Sequence, residues 1–143
     1  MPRVEYSIEI EQPIDKVFLY TTNPSNYINW QPWVLDTQSD RRIAIGSRIE
    51  VLSQFMGRKL NMTTEVIEFV PNKRIVAQGV PRSFFTRVAY TFERTDGGTR
   101  VNYVADFQPS GLLQLFGGVV VNRFRKATED SFLRLKGILE AEY

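Results

Sequence analysis

LLQLFGGVVVNRFRKATEDSFLRLKGILEAE, residues 112–142, reads as one long helix. Leu113, Phe116, Val120, Phe124, Ala127, Leu135 and Ile138 fall at the three-and-four spacing that gathers side chains on one helical face. At 1.5 Å per residue such a helix spans roughly 45 Å, and its apolar stripe needs a broad apolar surface to lie on. Gly117-Gly118 interrupts it, at a cost of about 1 kcal/mol per glycine inside a helix. Either the pair bends the helix and leaves room beneath Phe116, or it belongs to the preceding loop and the helix starts at Val119.

The residues before this helix supply the surface. Val4, Tyr6, Ile8 and Ile10 alternate with Glu5, Ser7, Glu9 and Glu11, the pattern of a strand with one wet face. Pro13 opens a helix whose buried side is Ile14, Val17, Phe18 and Thr21, with Asp15 in its first turn. Asn23-Pro24 ends it and caps a short second helix over 25–28. Strand and turn signals then follow one another. Trp33 to Gln38 alternates, as does Ile49, Val51, Ser53 and Phe55 against Glu50, Leu52 and Gln54. Met56-Gly57 turns into Arg58 to Val70, Pro71-Asn72 into Lys73 to Val80, and Pro81-Arg82-Ser83 precedes Phe84 to Thr95. Asp96-Gly97-Gly98 is a hairpin signal that returns the chain through Thr99 to Gln108. The predicted order is strand, two small helices, six strands, long helix: an α+β chain with a seven-stranded antiparallel sheet curved round its last helix.

Composition narrows the function. The 143 residues suit one domain, 1–143, with 43% apolar and 24% charged residues. The net charge of +2 comes from scattered Lys and Arg, so no nucleic-acid partner is expected. With neither Cys nor His, disulfides, thiolate chemistry, Ser-His pairs and most zinc sites are excluded. No cofactor and no metal are expected. The N-terminus has no apolar core of a signal peptide, and no window reaches the ~18 apolar residues of a membrane span, so the expected location is cytoplasmic.

The element order resembles the helix-grip fold of the START-like (SRPBCC) superfamily over essentially the whole chain. The marks are Pro13 with Val17-Phe18, then Asn23, Tyr27 and Trp30, then Tyr90-Thr91-Phe92 with Gly97-Gly98-Thr99-Arg100-Val101. Leu135-Lys136-Gly137-Ile138-Leu139-Glu140 completes them. Together they are similar to the polyketide cyclase/dehydrase and lipid-transport branch. The resemblance implies a cavity between sheet and helix, and no universal catalytic motif.

Alternation suggests what would face that cavity. Phe84, Thr86, Val88, Tyr90 and Phe92 share one side of the sixth strand, and Val101, Tyr103, Ala105 and Phe107 one side of the seventh. The inner polar groups are then Tyr6, Ser53, Thr64, Thr86, Tyr90 and Tyr103, hydroxyl handles in an apolar lining. Trp30 and Trp33 are expected near the open end, either closing the sheet or stacking on a flat ligand. The candidate ligand contacts are Tyr6, Trp30, Trp33, Phe55, Met62, Thr86, Tyr90, Tyr103, Phe116, Val120 and Phe124. Among ionisable groups, Arg87 and Asp106 fall on the solvent side unless a bulge reverses the phase. Glu65, where the fourth strand's alternation becomes ambiguous, is the carboxylate that could turn inward and act as a base.

Two functions fit. One is a binding or carrier module for a small hydrophobic molecule such as a lipid, isoprenoid or polyketide, with Leu112, Leu113, Leu115 and Phe116 as a surface for transient membrane contact. The other is an aromatase/cyclase-type enzyme that folds a reactive poly-carbonyl chain by shape. A filled core with a purely structural or regulatory role is a third. Ligand identity, catalysis and oligomeric state are not legible in the sequence.

Overall fold

Alternating burial organises the sheet strand by strand. In β3 (Arg48–Phe55) every second residue, Ile49, Val51, Ser53 and Phe55, is buried and the others are exposed. The same period shapes β1 (Arg3–Ile10) and β7 (Gly98–Phe107). The structure is a computed structural model that describes residues 3–40, 42–81, 85–108 and 117–141. The other elements are α1 (Ile14–Thr22), a 3-10 turn (Pro24–Asn26), α2 (Tyr27–Trp30), β2 (Val34–Ser39), β4 (Arg58–Val70), β5 (Arg74–Gly79), β6 (Phe85–Thr95) and α3 (Gly117–Glu140). Asn23 caps the 3-10 turn by accepting from the Ser25 N–H at 3.1 Å.

The seven strands form one antiparallel sheet in the order β1-β7-β6-β5-β4-β3-β2. Register shifts interrupt the pairing at Val34/Asp36, Val66/Glu68 and Phe85/Arg87. Such bulges bend a strand and tighten its twist, and three of them curl the sheet into a half-barrel. α3 lies in its concavity, along β1 and against α2. This is the helix-grip fold.

α3 holds 24 described residues, about 36 Å of helix. Its buried stripe is Val120, Phe124, Thr128, Ser131, Phe132, Leu135 and Leu139. The expected stripe shared Val120, Phe124 and Leu135 with it, whereas Ala127 and Ile138 are only half-buried. Leu112, Leu113, Leu115 and Phe116 lie outside the described residues. Gly117 and Gly118 are both helical, so the helix does not wait for Val119. A Cβ built on either meets nothing within 4 Å, and the room expected beneath Phe116 lies outside the described residues.

Charged groups decorate the convex face. Arg3 grips Asp106 with contacts of 2.7 and 3.2 Å, and Arg100 reaches Glu9 at 2.7 Å and Glu93 at 3.6 Å. These cross-strand pairs are solvated and contribute little each. The bulge at Phe85/Arg87 leaves Arg87 exposed, and Asp106 is occupied by Arg3, so neither turns into the core. Glu65 is exposed as well, while Val66 beside it is buried. The inward-carboxylate reading of Glu65 is therefore corrected: the shift at Val66/Glu68 comes after it and leaves it on the wet face.

The β4–β5 turn offers a clean test of backbone strain. Pro71 and Asn72 bridge Val70 and Lys73, whose N–H donates to the Val70 carbonyl at 3.0 Å. Asn72 has φ 62°, as the third residue of a type II turn requires. Asn72→Ala should cost about 1 kcal/mol, because a Cβ without a local polar group is disfavoured there. Asn72→Gly should be nearly neutral. Equal losses in urea denaturation of both variants would show that the amide, not the angle, matters.

Candidate functional site

The apolar stripe of α3 and the concave sheet do not meet everywhere. Between them lies a cavity of about 60 Å³. Its roof is α2 and the segment that leaves it, with Tyr27 and Trp30, then Gln31 and Trp33. The sheet contributes Ile49 and Val51 from β3, Met62 and Thr64 from β4, and Ile75 and Ala77 from β5. Phe85, Val88 and Tyr90 come from β6 and Tyr103 from β7, while α3 closes the space with Thr128, Ser131 and Phe132.

Two aromatic clusters frame it. Phe132, 2% exposed, is ringed by Tyr103 at 5.2 Å, Trp30 at 5.4 Å, Tyr6 at 5.5 Å and Tyr90 at 6.3 Å between centroids. Phe124 gathers Phe107 at 4.8 Å, Phe85 at 5.5 Å, Phe55 at 6.1 Å and Trp33 at 6.2 Å. These distances suit tilted and edge-on ring contacts. Trp33 is the half-buried member of both the second cluster and the cavity wall. Its indole N–H donates to Ser131 Oγ at a long 3.3 Å.

Of the expected contacts, Trp30, Trp33, Met62, Tyr90 and Tyr103 line the cavity. Trp30 is an inner wall rather than a rim residue, being 1% exposed. Tyr6 stands behind Phe132, and Phe55, Val120 and Phe124 are core residues beyond the lining. Phe116 is outside the described residues. Thr86 is a correction. It sits in the bulge where Thr86 and Arg87 together oppose Asp106, so Phe85 takes the inward place that alternation had given to Thr86; Phe84 lies outside the described residues.

Several lining residues escaped the sequence reading. Thr128 and Ser131 are polar, which hid the stripe they belong to. Each donates to the carbonyl four residues back, Thr128 to Phe124 at 2.9 Å and Ser131 to Ala127 at 2.7 Å. That bond lets a hydroxyl be buried on a helix without an orphan proton. The spacing Val120, Phe124, Thr128, Ser131, Leu135, Leu139 was the available signal. Gln31, 5% exposed, carried none.

The cavity's polar groups are neutral. Burial pushes the phenols of Tyr27, Tyr90 and Tyr103 well above the ordinary tyrosine range, and Tyr90 is raised further by Tyr103 and Tyr27. They stay protonated at any physiological pH, able to donate but not to serve as phenolate bases. Trp30 Nε1 is buried with no hydrogen-bond partner among the described residues. No described Asp, Glu, Lys or Arg lines the space, and the described residues hold no acidic cluster fit for a metal. No helix among them is long and apolar enough to cross a membrane.

Solved structures share this architecture. Protein TTHA0849 from Thermus thermophilus superposes with a TM-score of 0.82 at 19% identity, covering 98% of both chains. The Aha1 protein of Colwellia psychrerythraea, solved as a dimer, gives 0.68 at 18% identity, over 98% of this chain and 97% of that one. The di-domain aromatase/cyclase StfQ of the steffimycin biosynthetic pathway gives 0.69 at 17% identity, with 97% of this chain matching 51% of StfQ. At such identities the likeness is one of fold. No curated protein matches the chain in sequence. A family model does, over residues 1–140, and its description is polyketide cyclase/dehydrase and lipid transport. The chain belongs to the polyketide cyclase/dehydrase and lipid-transport family.

Proposed function

We propose that this chain binds a small, largely apolar molecule, of lipid, isoprenoid or polyketide-like kind, between its sheet and α3. One observation carries the reading: an apolar interior space lined by Trp30, whose indole N–H has no partner among the described residues. Tyr27, Tyr90 and Tyr103, whose phenols burial keeps protonated, line the same space. A buried polar group left unpaired costs about 1–3 kcal/mol, so a folded chain that keeps such a group open gains when a ligand or water pairs it.

The cavity is small. Ligand sites usually offer about 300–1,000 Å³, and 60 Å³ holds a few waters. Binding therefore requires side chains to move, and Trp33, half-buried and tied by one long hydrogen bond, is a wall residue that can. Native mass spectrometry of gently purified protein, with solvent extraction, tests the reading. A discrete apolar passenger is expected, lost when Tyr90→Phe and Tyr103→Phe are combined. A clean unliganded mass, with no uptake of an apolar fluorescent dye, would count against it.

An aromatase/cyclase activity is the second reading, supported by the likeness to StfQ and by neutral phenols that can donate to a developing enolate oxygen. It predicts that Tyr103→Phe lowers turnover of a poly-carbonyl substrate while its binding changes little. Parallel losses favour simple binding.

A further inference from the structure

We infer that the cavity sorts ligands by charge: it accepts an uncharged molecule bearing an acceptor oxygen, such as a ketone, and rejects the ionised carboxylate of the same skeleton. The inference rests on the binding reading above and goes further, to the chemical class of the ligand.

Every described cation is elsewhere. Arg3, Arg74 and Arg100 pair with carboxylates on the sheet, and Lys126 and Lys136 are engaged by Asp130 and Glu140 one turn along α3. The chain has no histidine to supply a charge. Helix ends do not substitute for one. α3 lines the cavity only from Thr128 onward, about three turns from Gly117, and the field of a helix terminus fades within its first turn. An anion entering this space would leave water and meet no counter-charge among the described residues, a loss of several kcal/mol. An ammonium ion would fare no better, since no described carboxylate lines the wall.

What the walls do offer is directional. On α3 the protons of Thr128 and Ser131 are already given to backbone carbonyls. Elsewhere on the wall, Trp30 Nε1–H of α2 can only donate and is unpartnered among the described residues, and the phenols of Tyr90 and Tyr103 on the sheet keep their protons. Neutral donors set among apolar rings match a carbonyl oxygen on an aromatic or alicyclic body.

The test compares acetophenone, benzoate and toluene, which share a ring and differ in the group attached. The readout is the pair of indole N–H signals in two-dimensional NMR, since the chain's two tryptophans both line the cavity. At neutral pH acetophenone should shift the Trp30 signal downfield and bind at least about 30-fold more tightly than benzoate, the low end of an unpaired buried charge. Toluene should bind several-fold more weakly than acetophenone, and Trp30→Phe should abolish that gap. Benzoate within three-fold of acetophenone would overturn charge sorting and leave the binding reading intact. Toluene equal to acetophenone would overturn the acceptor-oxygen assignment. If none of the three moves either indole signal, the binding reading fails and the inference with it.

Discussion

Phe132→Ala should unfold at a temperature about 10–15 °C lower than the unmodified chain, a loss of about 3–5 kcal/mol. Phe132 is 2% exposed and meets four other aromatic rings, so truncation removes its own burial and strips one face from each neighbour. The void cannot collapse easily, because β6, β7, α2 and α3 all hold the ring's surroundings in place. Phe132 also borders the existing cavity, so the new space would join the 60 Å³ already there. The same variant should therefore admit bulkier ligands than the unmodified protein does. Phe132→Leu, which keeps most of the volume, should cost less than half as much. Calorimetry on the two variants checks the stability claim, and a loss below about 1 kcal/mol for the alanine variant would mean the ring is not the keystone described.

That a residue of such weight was missing from the expected helix stripe shows where sequence reading runs out. The fold was legible because its signals are local: two-residue alternation in β1, β3 and β7, turn residues between strands, and a long apolar helix after them. The helix phase was harder. Two buried hydroxyls, Thr128 and Ser131, stand between Phe124 and Phe132 and read as a wet face unless their bonds to the preceding turn are known. The phase of β6 failed for another reason. A bulge adds one residue and reverses every side chain before it, which gave Thr86 the place that Phe85 holds. The cavity itself is a difference between facing surfaces, and no single strand or helix encodes it. Tyr103 could be found because β7 alternates without interruption, and Tyr90 because it lies beyond the β6 bulge, directly opposite Tyr103. Tyr27 and Gln31 come from a four-residue helix and its exit, where no period exists to read.

Gly98→Ala should destabilise the chain by about 3 kcal/mol or more, at the upper end of overpacking losses. Its neighbour Gly97, in the same hairpin, should tolerate alanine within about 0.5 kcal/mol. The Asp96-Gly97-Gly98 turn suggests glycines chosen for unusual backbone angles, yet neither has a left-handed φ. What distinguishes them is space. A Cβ on Gly97 meets nothing within 4 Å, whereas one on Gly98 would stand 2.2 Å from the Ile10 carbonyl oxygen and 2.9 Å from Gln12 N and Glu11 Cα. All three are backbone atoms, so no rotamer change can relieve the clash. The corner they form is a clamp. Thr99 Oγ1 donates to the Gln12 carbonyl at 2.8 Å, Gln12 Nε2 to the Leu139 carbonyl at 2.8 Å, and the Glu11 N–H to Glu140 at 2.9 Å. Through it the end of β1 is held between β7 and the C-terminal turn of α3. A methyl group at 98 must push that corner away and break these bonds together, releasing the end of the helix that closes the cavity. Hydrogen exchange should reveal this as faster exchange at Glu11 and along the last turn of α3 in Gly98→Ala but not in Gly97→Ala. Equal behaviour of the two variants would mean that the corner yields without cost, and that α3 is held by its apolar stripe alone.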